Sequence, residues 1–177
     1  MADSLYFSSD RKEVLVKNTA LRYWTICLNF DHSNRFSENL KKLNLKWSKP
    51  KPFKRPNKRY SPINKPGIYL FFIKPKFKLH SEHSYIMYIG YTMNLQSRYE
   101  DYLQYQNQNS DNPNLLYKRI MLNIWEDYLY YSYVVINGDE ETIKGIEKMM
   151  ISSVVPPINK EFLDAEVKKE VDLYRKR

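Results

Sequence analysis

A chain of 177 residues suits one domain with extensions. Its 29 basic and 20 acidic side chains leave a net charge of +9 and a pI near 9.4, which favours a polyanionic partner. A single cysteine, Cys27, excludes a disulfide framework and a thiolate zinc centre within the chain, and no apolar run approaches the ~18–20 residues that span a bilayer.

The N-terminus, Met-Ala-Asp-Ser-Leu-Tyr, lacks the basic start and apolar run of a secretory leader. The expectation is a cytoplasmic, intracellular protein, nucleoid-associated if bacterial, with no membrane partner. Residues 1–20 are polar and charged. Residues 21–30, Leu-Arg-Tyr-Trp-Thr-Ile-Cys-Leu-Asn-Phe, are aromatic and β-branched enough to read as a strand. Over 36–47, Phe36, Leu40, Leu43 and Trp47 fall at helical spacing, with Ser37 as the N-cap. From 50 to 66, Pro50, Pro52, Pro56, Pro62 and Pro66 break any regular element and predict a stiff, extended, basic connector.

That connector holds the charge excess. Residues 41–60 carry nine Lys or Arg and no acid, and the other twenty basic residues are balanced by twenty acidic ones. Trp47, Phe53 and Tyr60 are interleaved with the cations, and phosphate contact combined with aromatic stacking is the usual footprint of nucleic-acid binding. The expected contacts are Lys49, Lys51, Lys54, Arg55, Lys58 and Arg59. A soft boundary near residue 60 divides an N-terminal extension, 1–60, from a domain over 61–163 and a charged terminal helix over 164–177.

Within the second part, 67–73 and 85–91 read as strands joined by a long polar loop, whose Lys76 and Lys78 add to the expected nucleic-acid contacts. Residues 94–106 read as a helix capped by Asn94, with Leu95, Tyr99 and Tyr102 along one face. The stretch 106–114 is turn-rich. A second helix is predicted over 115–125, a third strand over 128–136, and a turn at Asn137-Gly138. Three acids open a helix over 139–153, favourable at the positive end of its dipole, and Pro156-Pro157 stops it.

The clearest chemical signal is Glu147. Ile143, Ile146, Met150, Ile151 and Val154 mark one face of its helix, and position 147 falls inside that face. A carboxylate there is costly to desolvate unless it is paired with a cation, either a basic side chain or a metal. Arg98 and Tyr102 share a helix face and could meet one phosphate together; each alone reads equally well as an ordinary surface or core residue. Tyr69 and Tyr88 alone read as sheet-packing tyrosines, and Asn159 as a turn residue.

Taken in order, these pieces carry more. Pro66-Gly67-Ile68-Tyr69-Leu70-Phe71, Tyr85-Ile86-Met87-Tyr88-Ile89-Gly90-Tyr91-Thr92 and Asn94-Leu95-Gln96-Ser97-Arg98 are followed by the acidic helix with Glu147 and by Pro-Pro-Ile-Asn ending at Asn159. The chain resembles the GIY-YIG nuclease family over residues 66–159, roughly half its length. The resemblance implies an α+β fold with a small three-stranded antiparallel sheet flanked by helices. It implies Tyr69 as general base or water-positioning group, Tyr88 as its hydrogen-bonding companion, Arg98 as the phosphate-neutralising cation and Tyr102 as a further site residue. Glu147 would hold one Mg²⁺ or Mn²⁺, and Asn159 would brace the site or touch the phosphate. On this expectation Arg98 and the metal lower the Tyr69 pKa toward use as a base. The implied activity is metal-dependent, restriction-like hydrolysis of double-stranded DNA, with a homodimer or two sequential events needed to cut both strands. The alternatives are a non-catalytic DNA-binding module of the same fold, or a structure-specific or RNA-directed nuclease.

Overall fold

The run Gly-Ile-Tyr-Leu-Phe-Phe-Ile has no charged side chain, so as a strand it must be covered on both faces. It is the central element of the computed structural model, which describes residues 30–53, 61–76, 83–105, 113–161 and 165–175. In chain order the elements are α1 (Phe30–Lys42), β1 (Lys51–Pro52), β2 (Gly67–Ile73), β3 (Tyr85–Thr92), α2 (Leu95–Tyr105), α3 (Pro113–Ile124), β4 (Leu129–Val135), α4 (Glu140–Val154) and α5 (Ala165–Arg175). The fold is α+β, with an antiparallel sheet of order β1-β4-β2-β3.

The sheet has four strands among the described residues, one more than expected. The added strand comes from the proline-rich connector. Lys51 and Pro52 pair with Tyr131 and Tyr130, and the Phe53 N–H donates to the Leu129 carbonyl at 2.8 Å. Proline is tolerated there because β1 is an edge. Phe53 itself is fully buried, edge-on to Phe71 and Tyr99. Lys51–Phe53 thus lie on the N-terminal side of the boundary expected near residue 60, yet belong to the sheet and its core.

Strand alternation sorts the core into two layers. Tyr69, Phe71, Met87 and Tyr131 face α2 and α3, where Leu95, Tyr99, Tyr102, Met121 and Leu122 complete the cluster. Ile68, Ile89 and Val134 face α4, which contributes Ile143, Met150 and Ile151; Val167 and Val171 of α5 join them. In β3 the register shifts: Phe71 pairs with Tyr88 but Phe72 with Ile86, so Met87 is an inserted residue. The bulge turns both Met87 and Tyr88 toward the aromatic layer.

The N-terminal helix differs from its expected span. It opens at Phe30, so the strand expected over 21–30 ends in helix at its last residue, and its other residues lie outside the described ones. Ser37 is an interior residue whose hydroxyl donates to the Asn34 carbonyl at 3.1 Å, and does not cap. The helix stops before Leu43 and Trp47 because Asn44 adopts a left-handed conformation, φ 45°. Ser33 donates to the Ser153 carbonyl at 2.6 Å and ties α1 to α4. No helix among the described residues is long and apolar enough to cross a membrane.

Candidate active site

Four of the expected site residues meet on the aromatic layer. Tyr69 extends from β2 across its sheet neighbour Gly90, and the two hydroxyls of Tyr69 and Tyr102 lie 3.1 Å apart. Gly90 is required here. A Cβ at that position would collide with the Tyr69 hydroxyl and crowd the Tyr88 ring. Gly67 has a separate reason: a Cβ would run into the Val134 backbone carbonyl. The Tyr88 ring centroid lies 6.2 Å from that of Tyr69 and 6.4 Å from that of Tyr102.

The second helix is started accurately. The Asn94 side chain accepts from the Ser97 N–H at 3.0 Å, as expected of an N-cap, and the Leu95 N–H donates to the Lys65 carbonyl at 3.0 Å. Arg98 then falls in the first turn, one turn before Tyr102. Its Nη1 meets Asp101 at 3.3 Å, a half-exposed and therefore weak pair, while its Nε is buried with no hydrogen-bond partner among the described residues.

Burial dominates the electrostatics of the tyrosines. It drives the Tyr69 phenol well above its ordinary pKa, and a neighbouring Tyr88 charge would push the same way. The hydrogen bond from Tyr102 and the charge of Arg98 act in the opposite sense and do not overcome it. Tyr102 is raised for the same first reason. Arg98 favours the Tyr69 phenolate, as expected, but burial outweighs it, so beside Arg98 alone both groups are neutral hydroxyls at neutral pH. For Arg98, burial opposes the charge and the Asp101 carboxylate favours it, and the guanidinium stays protonated; Tyr69 and Tyr102 would add to that only as phenolates.

Glu147 and Asn159 sit elsewhere, along the outer edge of β3. Asp139 caps α4 by accepting from the Thr142 N–H at 2.8 Å, and the phase of that helix turns Glu147 inward. Only 9% of Glu147 remains exposed. Burial and then the nearby Glu161 carboxylate raise its pKa to about 7, against the Tyr91 backbone N–H, Lys148 and Lys144, which favour the ionised form. Beyond α4, Val155 takes a left-handed conformation, φ 50°, and returns the chain to the edge. There the Ile158 N–H donates to the Met87 carbonyl at 3.1 Å. Asn159 holds Ile89 from both sides, accepting its N–H at 2.9 Å and donating to its carbonyl at 2.8 Å. Of the two expectations for Asn159, bracing is the one this geometry serves.

Glu147 makes no hydrogen bond or ion pair with Tyr69, Tyr88, Arg98 or Tyr102. The two groups meet through the backbone: the N–H that favours the Glu147 carboxylate belongs to Tyr91, the residue after Gly90. Among the described residues no three His, Cys, Asp or Glu side chains gather around one point. The donor set fits a hard divalent ion held by one carboxylate. Glu147 is buried, its charge is incompletely compensated, and a second carboxylate adds to the deficit of positive charge.

Of the expected nucleic-acid contacts, Lys49 and Lys51 are exposed, and Lys76 is exposed with its Nζ 5.1 Å from the Tyr128 ring centroid. Lys54, Arg55, Lys58, Arg59 and Lys78 lie outside the described residues. Sequence reading passed over Lys118, whose Nζ stands 4.7 Å from the Tyr88 ring centroid and 5.7 Å from that of Tyr102. The signal was available. Position 118 precedes the buried Met121 and Leu122 by three and four residues, which places a lysine on the apolar face of α3. Glu161, two residues beyond Asn159, was also passed over; it carried no helical phase to mark it.

No protein-family model matches this chain, and no curated protein or solved structure matches it. The site's geometry must therefore carry the functional reading.

Proposed function

We propose that the chain is a metal-dependent endonuclease that hydrolyses DNA phosphodiester bonds, site-specifically in the manner of a restriction enzyme. The observation that supports it best is the Tyr69–Tyr102 hydroxyl pair standing over Gly90, with Arg98 beside it. In that pair one proton bridges the two oxygens and the other hydroxyl remains able to donate. Two neutral hydroxyls so placed orient a water or a phosphate oxygen, and Arg98 offsets the charge that grows on the phosphate during attack. Tyr88 walls the same face. Asn159 would brace the site by holding the β3 backbone at Ile89, between Tyr88 and Gly90.

Glu147 would hold one Mg²⁺ or Mn²⁺, which when bound supplies Lewis-acid stabilisation of the phosphate and of the leaving oxygen. One active site cuts one strand, so a double-strand break needs a homodimer or two sequential events.

The deciding experiment is cleavage of supercoiled and linear DNA with Mg²⁺, Mn²⁺ or EDTA, comparing the wild type with Glu147→Ala. Discrete fragments that require the metal and vanish in the variant are the expected result. A wild type that cuts neither form and no RNA under any metal refutes the reading, and retained DNA binding would then favour a non-catalytic module.

A further inference from the structure

Lys118 adds a second cation to the tyrosine face, delivered by α3 where Arg98 comes from α2. It is half-buried, and no carboxylate among the described residues pairs with it. An ammonium has three N–H bonds and two ring faces take at most two of them, so Lys118 retains a donor after settling over Tyr88 and Tyr102. Arg98 has donors to spare as well. Its contact with Asp101 involves one nitrogen, and the buried Nε has no partner among the described residues. Tyr102 links the two cations: Lys118 lies over its ring, and Arg98 stands one turn before it on the same helix. Two cations from two helices, each with unused donors, thus stand beside the face that carries the Tyr69–Tyr102 hydroxyl pair.

We propose that Lys118 is a substrate-binding residue whose ammonium, together with the Arg98 guanidinium, takes the non-bridging oxygens of one phosphodiester against the Tyr69–Tyr102 pair. The identity of the anion rests on the nuclease reading; the anion site does not. The two cations divide the task by their shapes, Arg98 as a planar fork that fixes direction and Lys118 as a mobile point charge that tolerates a shifting phosphate.

The test is the affinity for a random-sequence DNA duplex in EDTA, measured across a salt series for the wild type, Lys118→Gln, Lys118→Arg and Lys169→Gln, an exposed lysine on α5. The slope of log affinity against log salt should become shallower by about one in Lys118→Gln. It should return in Lys118→Arg and stay unchanged in Lys169→Gln. With Mg²⁺ present, cleavage by Lys118→Gln should fall about tenfold or more. An unchanged slope in Lys118→Gln, or weaker binding at the same slope, would overturn the proposal, because the lysine would then act through packing alone. Binding of inorganic phosphate separates this inference from the nuclease reading. A wild type that ignores nucleic acid yet binds phosphate in a Lys118-dependent way keeps the anion site and discards the nuclease. A wild type that binds neither discards both.

Discussion

Replacing Glu147 with Gln should stabilise the metal-free protein, increasingly so as the pH rises. The carboxyl is 9% exposed, and burial together with Glu161 lifts its pKa from 4.5 to about 7. The folded chain therefore keeps a proton that the unfolded chain releases between those two values. Stability falls as the pH rises through that window and stays lower above it. At ~1.4 kcal/mol for each pH unit the effect is bounded at ~3 kcal/mol, and residual solvation trims it to ~2 kcal/mol. The amide of Gln keeps the shape and an oxygen for the Tyr91 N–H but carries no charge. Urea unfolding in EDTA should show the two proteins within ~1 kcal/mol at about pH 5 and Gln ahead by ~2 kcal/mol at about pH 8. Adding Mg²⁺ at the higher pH should close the gap, because a ligand at a hundred times its dissociation constant adds ~2.7 kcal/mol to the wild type alone. A difference that is constant from about pH 5 to about pH 8 would refute the reasoning, since Glu147 would then be solvated or already neutralised.

Gly90→Ala should cost ~1–3 kcal/mol by displacing the Tyr69 hydroxyl and should abolish cleavage, with Gly67→Ala costing more because the Val134 carbonyl cannot swing aside. Gly145, inside α4 with open space around a built Cβ, should gain ~0.5–1 kcal/mol as Ala; thermal unfolding of the three variants checks the order. Asn159→Ala leaves the Ile89 N–H and carbonyl without their partners, a loss of ~2–4 kcal/mol, and reopens the β3 edge, which light scattering should register as self-association. Phe53→Ala should cost ~3–5 kcal/mol in a denaturant titration, and a chain beginning at residue 61 should fail to fold alone. At limiting Mg²⁺, cleavage should rise with pH to a plateau above about 7, where Glu147 is ionised, and higher Mg²⁺ should move that midpoint to lower pH as metal competes with proton.

The sheet and its flanking helices were legible where sequence period and burial agree. Residues 67–73 and 85–92 carry enough aromatic and β-branched side chains that no other period fits, and Asn94 and Asp139 announce their helices by side chains that accept where expected. Glu147 was legible as an inward carboxylate because Ile143, Met150 and Ile151 fix the phase of α4. What escaped depends on contacts between distant segments. The start of α1 has little apolar periodicity; α4 supplies its partner through Ser33 and Ser153. The pairing of Lys51–Pro52 requires an unfilled edge on β4, which no local propensity reveals, and prolines argue against it. The depth of burial that raises the Tyr69 phenol likewise comes from distant segments and is invisible to composition.

Strand β3 is the element through which the two halves of the candidate site depend on each other. Its inner edge is paired to β2, which sets Gly90 under the Tyr69 hydroxyl; its outer edge carries Met87, Ile89 and Tyr91, whose backbone groups turn to Ile158, Asn159 and Glu147. An edge strand left open would be free to shift or to pair with another chain, and the bulge at Met87 would have nothing to hold its register. Asn159 makes that edge specific, because a primary amide both accepts and donates at one residue and so fixes Ile89 along the strand as well as across it. Ile89 lies between Tyr88 and Gly90, so a slip of the braced residue would move both the ring under Lys118 and the gap that admits Tyr69. The Glu147 carboxyl is tied to the same few residues through Tyr91. Neutralising that carboxylate with a cation would relieve a disfavoured charge beside β3, and on the nuclease reading the strand would then be most stable in the state competent for cleavage.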